Sequence, residues 1–141
     1  MNRKPITRRG CAVALMGALL VASVLPTVAQ GPKPQETKGV SIDETTVLGI
    51  APQIPQFKGF GLRLRKVTVE PGGVIAHHSH AERPIVVYIM SGELTEYRDD
   101  GQVITHRAGE QWTEGADVAH WSENRGQVPA VLIGADIVPE E

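Results

Sequence analysis

Cysteine is almost missing from this chain, and its one example, Cys11, lies in an apolar N-terminal run. With that run set aside, neither a disulfide nor a thiol nucleophile is available, so stability must come from packing. Helix periodicity is missing as well. Beyond residue 29 no stretch repeats apolar residues at helical spacing over a useful length. Aromatic residues are few, two each of Phe, Tyr and Trp. An excess of basic charge is also lacking. Four of the 14 basic residues and none of the 16 acidic ones fall in residues 1–29, leaving 10 against 16, a net charge of −6. A mildly acidic domain is a poor partner for nucleic acid or an anionic membrane.

What is present begins with Arg3, Lys4, Arg8 and Arg9, followed by the apolar run Cys11 to Leu25 and then Pro26-Thr27-Val28-Ala29. A basic start, a short apolar run and small residues before a cut are the pattern of a secretory signal peptide, cleaved after Ala29. The run is short for a membrane span of roughly 20 residues. Arg8-Arg9 hints at twin-arginine export. The expectation is a periplasmic or secreted protein with a signal peptide over 1–29, a flexible leader rich in Pro and Gly over 30–39, and one domain over 40–141.

That domain reads as short β segments separated by turns. Val47 to Ile50 is the first candidate. In Leu62 to Val69 the apolar residues Leu62 and Leu64 give way to Val67 and Val69, a slip that predicts a bulge at Arg65-Lys66. Glu70-Pro71-Gly72-Gly73 predicts a turn. Further strands follow over 74–80, 85–90, 94–98, 103–107, 111–113, 118–123 and 130–138. Many short strands at regular spacing predict an all-β sandwich or barrel. Ile85-Val86-Val87-Tyr88-Ile89-Met90 is apolar at every position. One face belongs to the core, and the other predicts a partner, most simply a second copy in a homodimer.

Three of the five histidines lie in His77-His78-Ser79-His80. Alternate residues of a strand share a face, so His78 and His80 point together and His77 points away. Two inward imidazoles are costly unless their nitrogens are satisfied. A divalent metal does so, with neutral imidazole its commonest side-chain ligand. His120, in a second strand-like stretch, is the candidate third ligand. His106, beside Arg107 in a hairpin, reads as an exposed side chain.

These residues carry a resemblance. Gly72, five residues, His78-Ser79-His80 and a strand ending at Gly92-Glu93-Leu94 resemble the first motif of the cupin superfamily. Gly109, five residues, Gly115-Ala116-Asp117, two residues, His120, three residues and Asn124 resemble the second. The match covers roughly residues 60–138. It implies a small single-domain double-stranded β-helix, the jelly-roll or cupin barrel. The first motif expects a glutamate shortly after its second histidine, in slots that hold Pro84 and Ile85 here. Glu82, in the turn, is one candidate replacement. A three-histidine site with open positions is another, and metal-free ligand binding is a third. Ile85 in that slot would share the inward face with Val87 and Ile89. Trp112, Trp121 and Glu114 flank the second motif. Trp112 reads as an apolar wall or as sheet packing, and Glu114 as a group near the mouth.

The expectation is therefore an exported small cupin holding a divalent transition metal on His78, His80 and His120, iron or manganese before zinc or nickel. Its substrate pocket would be lined by Ile85, Val87, Trp112 and Glu114. It would act on a small molecule in dioxygenase-type chemistry, or bind a small ligand or metal without catalysis.

Overall fold

The computed structural model describes residues 31–140, so the signal-peptide reading lies outside the described residues. Eight strands carry the fold: β1 (Lys38–Gly49), β2 (Phe60–Ser79), β3 (Ile85–Ser91), β4 (Glu93–Arg98), β5 (Val103–Arg107), β6 (Gln111–Glu114), β7 (Ala119–Glu123) and β8 (Ala130–Pro139). No α-helix occurs among the described residues. The strands run in the order β5-β4-β7-β2-β8-β3-β6, with β1 added on β2. The sheet wraps into a nearly closed barrel, the all-β jelly roll that the strand spacing predicts.

β2 is the organising strand. Its first half, from Phe60 to Val69, pairs with β8 and β1, and its second half, from Val74 to Ser79, pairs with β7. Glu70-Pro71-Gly72-Gly73 does not reverse the chain as expected. It bends one continuous strand from one sheet into the other. Gly72 takes a φ of 74°, which few side chains tolerate. Backbone bonds from Gly72 N–H to Asn124 O and from Asn124 N–H to Gly73 O hold the bend. Asn124 is itself buried, donating to the carbonyls of Val69 and Val128.

The bulge expected at Arg65-Lys66 is absent, since the β2–β8 register runs without a shift. The irregularity lies in β1 instead, between Ile42 and Glu44. Alternation in β2 is unbroken, with Arg63, Arg65, Val67 and Val69 facing in. Leu62 and Leu64 face out and are exposed. The arginines can face in because Asp136 of β8, fully buried, meets them there.

Within the stretch read as a flexible leader over 30–39, residues 33–38 are laid against the barrel. Lys33 pairs with Asp99 at 2.8 Å, His77 N–H donates to Pro34 O, Ala76 N–H donates to Thr37 Oγ1, and β1 already begins at Lys38.

The inward residues form rows across the sheet. Arg63, Asp136, Ile85 and Glu114 stand opposite one another across β2, β8, β3 and β6. The next row is Arg65, Gly134, Val87 and Trp112. The next, Val67, Leu132 and Ile89, is wholly apolar and joins Val69, Leu94 and Ala130 in the core. One end of the barrel is thus a packed floor and the other a polar chamber.

The turn between β3 and β4 depends on Gly92, at φ 73°, where an added Cβ would stand 2.5 Å from Pro129 O. Gly92→Ala should lower unfolding stability by about 2 kcal/mol or more, read as a fall in the urea midpoint at unchanged m-value.

Candidate metal centre

His78 near the end of β2 and His80 just beyond it point to one face, as alternation requires. His120 of β7 stands directly opposite His78 in the ladder. Their Nε2 atoms form a triangle with edges of 3.0, 3.1 and 3.2 Å. His80 and His120 are buried and His78 is half-buried.

The other ring nitrogens decide what this triangle means. His78 Nδ1 lies 2.8 Å from Ala76 O, and His80 Nδ1 lies 3.0 Å from Arg83 O. A carbonyl only accepts, so each Nδ1 carries the proton and donates. His120 Nδ1 faces Glu96 Oε1 at 3.2 Å, an ion-pair separation whose angle is poor for a hydrogen bond. With the His78 and His80 Nδ1 protons committed, two Nε2 lone pairs face each other and the Nε2 of His120. Two lone pairs 3.0 Å apart repel unless a proton or a cation lies between them.

A carboxylate joins them. Glu114 of β6, 4% exposed, places Oε2 2.8 Å from His80 Nε2 and 3.5 Å from His120 Nε2. Its Oε1 accepts from Trp112 Nε1 at 2.8 Å. Burial pushes the Glu114 carboxyl up, but His80, His120 and Trp112 outweigh it and hold it below the ordinary range. A metal ion would relieve the repulsion, as would a proton shared with Glu114. His78 is not the proton's seat near neutrality. Burial, only partly offset by its bond to Ala76 and aided by His120, His80 and Arg83, pushes its pKa down to about 4.

A second layer holds His120. Glu96, 1% exposed, takes bonds from His106 Nε2 at 2.9 Å and Arg98 Nε at 2.7 Å while facing His120. Burial raises this carboxyl, and His106, His120 and Arg98 together drive it well below the usual range. His106 stacks on Trp112 with ring centroids 3.7 Å apart. His106 is therefore 7% exposed rather than the surface side chain expected from its hairpin. Trp121 stacks on Tyr97 away from the histidines, a packing role. His77 points away from the triangle, to Asp99 at 3.0 Å.

The model of the family described as Cupin domain matches residues 65–136, just over half of the chain. The chain belongs to the cupin family. Nectarin-1 of Nicotiana langsdorffii x Nicotiana sanderae is 30% identical to this cupin over 91 residues, which cover 59% of the chain and 38% of Nectarin-1. This cupin thus spans well under half of that relative's length. A structure described as a predicted oxalate decarboxylase from Thermotoga maritima matches with a TM-score of 0.54 at 18% identity, covering 76% of this chain and 90% of that one. Oxalate oxidase in complex with the substrate analogue glycolate matches with a TM-score of 0.51 at 20% identity, covering 81% and 61%. At such identities the likeness shows the shared barrel and no more.

In this cupin the glutamate slot of the first motif holds Ile85. Ile85 is paired directly with Glu114 across β3 and β6. The carboxylate has in effect moved one strand sideways at the same height. Glu82, weighed as the replacement, is exposed in the turn between β2 and β3 and belongs to no cluster of converging donor atoms among the described residues. Those clusters are His78, His80 and His120, and Glu96, Glu114 and His120. Ile85, Val87, Trp112 and Glu114 line one cavity of about 300 Å³ with the three histidines. Sequence reasoning missed Glu96, His106, Arg65, Arg83 and Asp136. A signal existed for two of them: Glu96 shares a strand face with Leu94, and Asp136 with Ala130 and Leu132, so each is a charge at a core position.

The depressed His78 pKa sets a pH dependence for metal-free protein. The unfolded chain takes up a proton near 6.5 and the folded one only near 4, so acidification within that window favours unfolding. Between pH 6.5 and about 5, above ordinary carboxyl titration, urea stability should fall. His78→Gln should flatten the slope. An equal slope in the variant would show that His78 titrates normally.

Proposed function

We propose that this cupin holds a divalent transition metal on His78, His80 and His120, with Glu114 as a further oxygen donor. It uses that ion in dioxygenase-type chemistry on a small molecule. The observation that carries the reading is the convergence of three Nε2 atoms, two of which belong to rings whose Nδ1 protons are already committed. Fixing the far nitrogen of a ligating histidine with a carbonyl or carboxylate is the usual support for a metal site. The edge lengths also fit. Ligands at about 2.1 Å stand roughly 3.0 Å apart at right angles and roughly 3.4 Å apart in a tetrahedron. Edges of 3.0–3.2 Å suit the former, which favours iron or manganese over a tetrahedral zinc ion.

Bound there, such an ion supplies Lewis-acid or one-electron redox chemistry to an oxygen-bearing ligand. The chain's own residues do the rest. Ala76 and Arg83 carbonyls fix the His78 and His80 rings, Glu96 holds His120, and the Trp112 N–H steers Glu114. Ile75, Ile85, Val87, Leu94 and Leu132 give the chamber an apolar lining. Two structural relatives are described by oxalate chemistry, which makes oxalate one compound to assay.

Two further parts of the reading concern where and how the protein works. Export with cleavage after Ala29 makes Gln30 the first residue of the working protein, which N-terminal sequencing of exported protein checks. A homodimer would cover Leu62, Leu64, Val86, Tyr88 and Met90, apolar side chains that are 43–54% exposed. Leu64 and Val86 both lie opposite Ala135, so these residues form one stripe across β2, β8 and β3. Tyr88→Glu with Leu64→Glu should convert a dimer to a monomer in sedimentation velocity. An unmodified chain sedimenting as a monomer would end that part of the reading.

Metal analysis tests the centre itself. Protein purified from its native compartment should carry about one transition metal per chain, and His78→Ala and His120→Ala should lose it. Glu82→Gln should keep full occupancy, while Glu114→Gln should weaken affinity at least tenfold. Wild-type protein without stoichiometric transition metal would end the oxygenase reading.

A further inference from the structure

The metal-facing wall is only half of the cavity. Arg65 and Arg83 line the same space as the three histidines. Both share a single acid, Asp136, with Arg63. Arg63 takes that carboxylate bidentately, with Nε to Oδ1 at 2.9 Å and Nη2 to Oδ2 at 2.7 Å. Arg65 Nη2 reaches Oδ2 only at 3.4 Å, and Arg83 Nη1 only at 3.8 Å. Arg65 Nε is buried and has no hydrogen-bond partner. Three guanidinium groups thus face one carboxylate, which bonds Arg63 twice and closely and Arg65 once and at 3.4 Å.

This imbalance is costly as it stands. A half-buried guanidinium with unmet N–H groups is destabilising unless something supplies acceptors. Burial lowers the pKa of Arg65, Asp136 opposes, and Arg63 and Arg83 lower it further, as expected of surplus positive charge. Gly134 sits between Arg65 and Val87 in the ladder, and a Cβ there would stand 3.0 Å from Ile85 Cδ1.

We propose that Arg65 and Arg83 form a carboxylate subsite, and that the cavity takes a small monocarboxylate whose apolar body lies against Ile75, Val87, Leu132 and Trp112. The planar fork of a guanidinium matches the two oxygens of a carboxylate. The cavity of about 300 Å³ is equivalent to roughly ten water volumes, enough for a ligand of about that many heavy atoms. The subsite rests on reading this cavity as a small-molecule site, and it does not require that the histidines hold a metal.

Calorimetric titration with benzoate, benzamide, oxalate and inorganic phosphate tests it, on protein as purified and after chelator treatment. Benzoate should bind both forms at least tenfold more tightly than benzamide, which has the same ring without the charge. In the chelated form it should also exceed oxalate and phosphate, which have no apolar body, by tenfold. Arg65→Met and Arg83→Gln should each weaken benzoate at least fivefold with metal content unchanged. Arg83→Gln, in a half-buried turn, serves if Arg65→Met does not fold. Equal affinity for benzoate and benzamide, no benzoate binding to chelated protein, or unchanged affinity in Arg83→Gln would overturn the subsite. Tighter oxalate or phosphate binding in the chelated form would overturn its apolar half. Arg65-dependent benzoate binding in protein that never carries metal would overturn the metal reading alone.

Discussion

Three imidazole nitrogens aimed at one point are the constraint around which the rest of this barrel is arranged. A neutral imidazole has one nitrogen that donates and one that accepts. Once Ala76 and Arg83 carbonyls claim the Nδ1 protons of His78 and His80, the Nε2 atoms can only accept. Keeping such groups 3.0–3.2 Å apart demands rigid supports. β2 and β7 are locked in register with His78 opposite His120. Glu96 is drawn inside to face His120, and its own burial is offset by His106 and Arg98. Trp112 then ties the two carboxylates together, stacking on His106 and donating to Glu114. No member of this set is well placed without the others.

The barrel spends its apolar residues unevenly. The row of Val67, Leu132 and Ile89 closes one end as an ordinary core. Two rows higher the same strands present Arg63, Asp136, Ile85 and Glu114. A chain this small has little core to spare, so stability and chemistry are separated by height within a single barrel. Core substitutions in the floor should act on folding, and those in the upper rows on ligand and metal, with limited crosstalk.

Much of this was legible in the residues. Strand alternation placed His78 and His80 together and sent His77 away, and two motifs in order named His120 as their companion. The β3 face was read correctly: Ile85, Val87 and Ile89 are buried, and Val86, Tyr88 and Met90 are exposed. Other features needed strand pairing, which a linear pattern does not contain. Ile85 in the glutamate slot looked like a lost ligand until β6 brought Glu114 opposite it. Leu62 and Leu64 looked like core and forced a bulge into the reading, because inward arginines are implausible until Asp136 is known to be buried beside them. His106 looked exposed because its hairpin gives no sign of Trp112 lying across it. In each case a polar group was tolerated inside by a partner distant in sequence.

The bend at Gly72-Gly73 gives β2 an unusual place in this economy of space. Arg65 comes from the strand before the bend, His78 from the strand after it, and His80 and Arg83 from the connection that follows. One unbroken run of backbone therefore carries both walls of the cavity, like the two legs of a caliper joined at its pivot. The gap between Arg65 and the imidazole wall is set by the angle at Gly72. A change of a few degrees there would alter the length of molecule that spans them without touching a single group that binds it.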